Sequence, residues 1–144
     1  MSLRNRRRAK PAPPPGKVLK VLIVDDEPAV CRFIESLLSA EGYATEVAVS
    51  APVALTIART FGPFDLLLTD ADDLPPVRGA DLASEVRRLV PEIKVLYLAR
   101  PDDVRFTDSG GSFAREARVD KPVSPPRLLH AISELLSGRR GEIR

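Results

Sequence analysis

Three leucines in succession, Leu66-Leu67-Leu68, run directly into Thr69-Asp70 and then, within nine residues, into Pro75, Pro76 and Gly79. No other stretch limits the fold of this chain as tightly. An apolar run this short and unbroken fits a parallel strand buried on both faces. The prolines and the glycine bar an immediate helix. Asp70 is therefore expected at the carboxyl end of a central strand, the edge where open α/β sheets hold their ligands. A lone aspartate there is more often a turn former than a working group. Here two further stretches lead to the same edge.

The first is residues 18–24, VLKVLIV, a β-branched and nearly continuous apolar strand that ends on Asp25-Asp26-Glu27-Pro28. Pro28 suits a first helical turn, and the acids before it favour the positive end of that helix. Val30, Phe33, Ile34, Leu37 and Leu38 then fall on one helical face, and Glu41-Gly42 stops it. A shorter strand is expected over residues 43–48, with Ser50 as N-cap of a helix through Thr60. Phe61-Gly62-Pro63 breaks that helix ahead of the leucine run. Past Gly79, a third helix carries Leu82, Val86, Leu89 and Val90 up to Pro91, and a fourth strand covers residues 94–98.

Residues 100–118 show little periodicity. Val104, Phe106 and Phe113 are their only large apolar residues, and Ser109-Gly110-Gly111-Ser112 interrupts any helix, so a fourth helix is expected to be short or irregular. A fifth strand is expected over residues 114–120, leading to Lys121-Pro122. Ser124 then caps a last helix whose buried face carries Leu128, Leu129, Ile132, Leu135 and Leu136. Strands alternating with helices of about three turns imply a parallel sheet covered on both faces.

At 144 residues the chain has room for one such domain, and 44% hydrophobic with 29% charged residues is a globular composition. No apolar run reaches membrane-spanning length, and the single cysteine, Cys31, suits a reducing cytoplasm; its place among apolar helix positions points to packing rather than chemistry. The net charge of +2 hides an asymmetry. Residues 1–17 hold six of the 22 basic residues and no acid, which leaves 16 against 20 acids, or −4, for the remainder. The arginine- and proline-rich start buries nothing and reads as a disordered tail or linker. The expected boundaries are a tail over residues 1–17, a domain over 18–138 and a short tail over 139–144.

Asp25-Asp26, Asp70 and Lys121 thus gather at three strand ends. Helix capping explains one carboxylate; a pair opposite a third acid costs repulsion that a hard divalent cation would offset. A lone lysine such as Lys121 is more often solvated surface; ending a strand beside the acids, it could instead pair with Asp70 or with a phosphoryl oxygen. The segments VLIVDDEPAV, DLLLTDADDLP and VDKPVSPPRLL resemble, in this order, the three signatures of bacterial response-regulator receiver domains. That resemblance covers roughly residues 18–137. It implies a flavodoxin-like, doubly wound three-layer fold with five parallel strands in the order 2-1-3-4-5. It implies Asp70 as phosphoacceptor, Asp26 as a direct Mg²⁺ ligand, Asp25 acting on the metal largely through water, and a backbone carbonyl near Asp72 completing the site. Lys121 would contact Asp70 and then the phosphoryl group, and the Lys121–Pro122 peptide would be cis. The partners implied are a histidine kinase or phosphotransfer protein and a downstream protein target. No DNA-binding domain or membrane span is expected.

Three departures stand against that pattern. Pro75 and Gly79 each fall one residue late, so the loop after Asp70 carries a surplus residue beside the acidic pair Asp72-Asp73. Ala99 stands where receivers have a hydroxyl, and Arg118 where they have an aromatic ring. The rival readings are a pseudo-receiver that binds a partner without phosphorylation and, with less support, a phosphatase of the haloacid-dehalogenase type built on Asp70 and Asp72. His130 is expected as partly packed surface rather than a phosphotransfer histidine.

Overall fold

The computed structural model describes residues 17–71, 77–102 and 115–137. These form β1 (Lys20–Val24), α1 (Pro28–Ala40), β2 (Ala44–Ala48), α2 (Ala51–Phe61), β3 (Leu66–Asp70), α3 (Gly79–Leu89), β4 (Lys94–Ala99), β5 (Glu116–Asp120) and α4 (Pro125–Ser137). The tails, the loop that holds Asp72 and the expected irregular helix between β4 and β5 lie outside the described residues.

All strand pairs are parallel and the order is β2-β1-β3-β4-β5, as the resemblance implied. β3 is central, and each of its five residues is buried, which is why its sequence shows no polar alternation. Side chains of a strand alternate between faces, so the sheet splits its apolar residues into two cores. Leu22, Val24, Leu67, Val95 and Tyr97 pack with α2 and α3. Val21, Ile23, Leu66, Leu68, Leu96 and Leu98 pack with Cys31, Ile34 and Leu38 of α1 and with Leu128, Ile132 and Leu135 of α4. The doubly wound, three-layer arrangement follows. Among the described residues no helix is long and apolar enough to cross a membrane.

Local signals end the helices where expected. Ser50 Oγ accepts from the Val53 N–H at 3.3 Å, capping α2. α1 closes on Gly42, whose φ of 95° only glycine adopts without cost; its N–H donates to Ser39 and that of Tyr43 to Leu38, satisfying the last carbonyls.

Some expectations fail in detail. Phe33 is 45% exposed. At 100° per residue it lies well outside the arc centred on Cys31, Ile34 and Leu38, and Val30 and Leu37 flank that arc half-buried. Leu89, in the terminal turn of α3, is also exposed. β1 starts at Lys20 rather than residue 18 and β5 at Glu116 rather than 114, while β4 extends one residue further, through Ala99.

Candidate functional site

Because every strand runs the same way, the ends of β1, β3 and β5 share one edge of the sheet, and the polar residues the sequence singled out meet there. Asp70 closes β3 and Asp25 follows β1; both are 2% exposed, whereas Asp26 is exposed. The three carboxylates each bring an oxygen within 4.8 Å of the others. From β5, Lys121 Nζ donates to Asp70 Oδ1 at 3.2 Å, and the Lys121 N–H donates to the Ala99 carbonyl at 2.8 Å. The Lys121–Pro122 peptide is cis, and so is Gly62–Pro63, which the sequence reading did not foresee.

Asp25 does not cap α1, whose N-cap residue is Glu27; its Oδ1 accepts from the Glu27 N–H at 2.9 Å and so closes the turn that leads into the helix. That does not exhaust its carboxylate. Burial, reinforced by the charges of Asp70 and Asp26, raises its pKa from 3.8 to about 6, against the opposing pull of the Glu27 N–H and the Lys121 ammonium. Among the described residues, three carboxylates thus face the single ammonium of Lys121. Oxygen-only donors at this spacing, two of them desolvated, suit a small hard cation, so the residues fit Mg²⁺. Among the described residues this is the one group of three such side chains.

Three supporting residues were missed or given too little weight in the sequence. Gly79 donates to the Ala71 carbonyl at 3.0 Å, and a Cβ on it would lie 2.2 Å from the backbone oxygen of Asp70. Its place in the loop signalled a turn; the close approach to Asp70 is visible only in three dimensions. Thr69 is fully buried and donates its hydroxyl to that same Asp70 oxygen at 3.0 Å. Cys31 is core, as expected, but its Sγ also donates to the Asp25 carbonyl at 3.2 Å; burial raises its thiol to about 11, so it is inert as a nucleophile.

A family model described as the response regulator receiver domain matches residues 21–133. The chain belongs to the response regulator receiver family. Its relatives include the polar-differentiation response regulator DivK of Brucella ovis, 34% identical over 121 residues that make up 81% of this chain and 94% of DivK. The transcriptional regulatory protein TrcR of Mycobacterium tuberculosis is 31% identical over 84% of this chain, which spans only 46% of TrcR. The CheY-like receiver of Methanospirillum hungatei JF-1 superposes with a TM-score of 0.73 at 29% identity, covering 88% of this chain and 100% of that one. A receiver protein from Sinorhizobium medicae WSM419 shares the fold at a TM-score of 0.74 and 23% identity, over 85% of this chain and 98% of its own.

Set beside the receiver pattern, the two atypical positions are fully placed. Ala99 ends β4 and is buried; its carbonyl accepts the Lys121 N–H at 2.8 Å, and its side chain has no hydroxyl. Arg118 on β5 directs its guanidinium to Asp120 and to the carbonyls of Arg100 and Pro101. Asp72, whose carbonyl the resemblance assigned to the metal, lies outside the described residues. His130 is on the solvent face of α4, 3.8 Å from Glu134 and more exposed than the half-packed position expected for it.

Proposed function

We propose that this receiver accepts a phosphoryl group onto Asp70 from the phosphohistidine of a histidine kinase or phosphotransfer protein. The observation that carries this reading is a desolvated carboxylate held by Lys121 at 3.2 Å inside a three-carboxylate pocket. In the step, a P–O bond forms to the Asp70 carboxylate as the P–N bond breaks, and the imidazole leaves and takes up a proton. Lys121 stands where it can follow a phosphoryl oxygen as negative charge spreads over the equatorial positions. Mg²⁺ held by Asp25, Asp26 and Asp70 would supply the remaining charge neutralisation. Thr69 and Gly79 fix the backbone that aims Asp70, and water later returns the acyl phosphate to the free acid. The protein is thus read as a signalling module of the cytoplasm, with no substrate turnover beyond loading and unloading itself.

The test is intact-mass measurement after incubation with acetyl phosphate and Mg²⁺. A single phosphoryl adduct is expected, lost in chelator and in Asp70→Asn. An adduct that persists in either control overturns the assignment.

A pseudo-receiver is the second reading, favoured by the methyl group at Ala99 and by the engaged guanidinium of Arg118; it expects no adduct under any condition. The phosphatase reading finds no support. Asp70 ends the third strand rather than the first, and the family match runs through the whole sheet.

A further inference from the structure

On β4 the side of the sheet bearing Val95, Tyr97 and Ala99 is apolar and buried. One strand further out, the register partners of those residues are Glu116, Arg118 and Asp120. Three charges in alternation on one strand face require polar partners close by. Glu116 accepts from Arg87 Nη2 of α3 at 2.7 Å. Arg118 instead lies across the ends of the two strands. Its Nε donates to Asp120 Oδ1 at 2.9 Å, and its Nη2 donates to the carbonyls of Arg100 and Pro101, both at 3.0 Å.

Those two carbonyls are the first beyond the end of β4, and Asp120 is the last residue of β5. Asp120 immediately precedes Lys121, whose N–H closes the ladder onto Ala99. A planar guanidinium whose acceptors lie at the end of β5 and just past the end of β4 sets the separation and relative orientation of those ends, which a rotating ammonium does not. We propose that Arg118 is a latch, clamping the exit of β4 to the end of β5 and holding it in one arrangement whatever the state of Asp70. The last clause rests on the reading of Asp70 as phosphoacceptor; the clamp itself does not.

The latch has a direct readout in amide hydrogen exchange of the whole chain. In Arg118→Ala the amides of Arg100 and Asp102 exchange about tenfold faster or more than in the wild type, the loss expected when charge-assisted hydrogen bonds are removed. Those of β1 and β3 are unchanged. Arg118→Lys is expected to behave like the alanine variant, because a point charge does not replace the fork, and it carries the test should Arg118→Ala fail to fold. Asp120→Asn gives an intermediate rate. Wild-type rates at Arg100 and Asp102 in Arg118→Lys overturn the proposal.

A second arm adds Mg²⁺ and the phosphoryl mimic beryllofluoride. Exchange at Arg100 and Asp102 stays as it was in the wild type, while amides around Asp25 and Asp70 slow down. A change at Arg100 and Asp102 of the size produced by Arg118→Ala shows that the latch opens with the site, and overturns its independence. Beryllofluoride without effect even at Asp25 and Asp70 counts against the phosphoacceptor reading, and the metal-free variants then decide on the clamp alone.

Discussion

Asp25 bears three demands at once: it holds the turn into α1 through the Glu27 N–H, it sits buried, and it faces two other carboxylates. With its pKa raised from the 3.8 of an exposed aspartate to about 6 in the folded, metal-free protein, the folded state binds the proton more tightly than the unfolded one. The sign follows. The contribution of this group to stability is fully present below about pH 4 and is lost as pH rises through about 6. Each pKa unit is worth about 1.4 kcal/mol, so the change is on the order of 2–3 kcal/mol. Asp25→Asn keeps an oxygen for the Glu27 N–H and carries no charge. In chelator its melting temperature is expected to exceed that of the wild type at pH 7.5 and to match it near pH 4. Equal melting temperatures at both pH values would mean that the crowding costs nothing. Saturating Mg²⁺ is expected to reverse the order at pH 7.5, because the variant keeps only Asp26 and Asp70 for the cation and gains less from it.

What was legible at the level of elements depended on how many constraints each residue satisfied. β1, β3 and β4 are buried on both faces, so almost any residue reveals the strand, and the acids at the ends of β1 and β3 stand out against an apolar background. Asp25, Asp26, Asp70 and Lys121 could therefore be named in advance from strand ends and a resemblance. Helix faces were less certain, since an apolar stripe read from sequence is broader than the contact it makes. Phe33 shows the limit: it matched the i, i+3 spacing with Val30 yet lies in solvent, one residue from fully buried Ile34. The pair makes a matched test. Ile34→Ala is expected to lower unfolding stability by about 2–5 kcal/mol through lost burial and a cavity. Phe33→Ala should stay within about 0.5 kcal/mol of the wild type. Denaturant titrations of both variants check this, and comparable losses would place Phe33 in the core after all. The charged face of β5 was not legible, because Glu116, Arg118 and Asp120 read as ordinary surface until their register against Val95, Tyr97 and Ala99 was known. Gly79 was read as loop punctuation for a similar reason: the atom it must avoid is nine residues away in sequence.

For the molecule as a whole, the question is how far an event at Asp70 travels. A ligand shifts a conformational equilibrium only by its differential interaction with the two states. Among the described residues, the contacts that lead outward from Asp70 include the Lys121 ammonium and the end of β4. Lys121 already touches Asp70 in the unmodified protein, so a phosphoryl group would redirect an existing contact rather than recruit a new one. At the end of β4, Ala99 has no hydroxyl to offer a phosphoryl oxygen, and a hydrogen bond to a charged acceptor is worth about 1.5–3 kcal/mol. Without it, a phosphoryl group has little with which to pull β4. Ala99→Thr supplies the missing donor at a buried position that faces the same core as Tyr97. The measurement is amide chemical shifts with and without beryllofluoride at saturating Mg²⁺. In the wild type, shifts are expected near Asp25, Asp70 and Lys121 and to fade before Tyr97 and along α4. In Ala99→Thr they should extend through β4 to Tyr97, and the mimic should bind about tenfold more tightly or better, as one added charge-assisted hydrogen bond dictates. If the wild type already shows coherent shifts through Arg118 and along α4, the signal leaves Asp70 by a route that needs no hydroxyl at residue 99. Lys121 and the β5 strand that carries it then become the path to test.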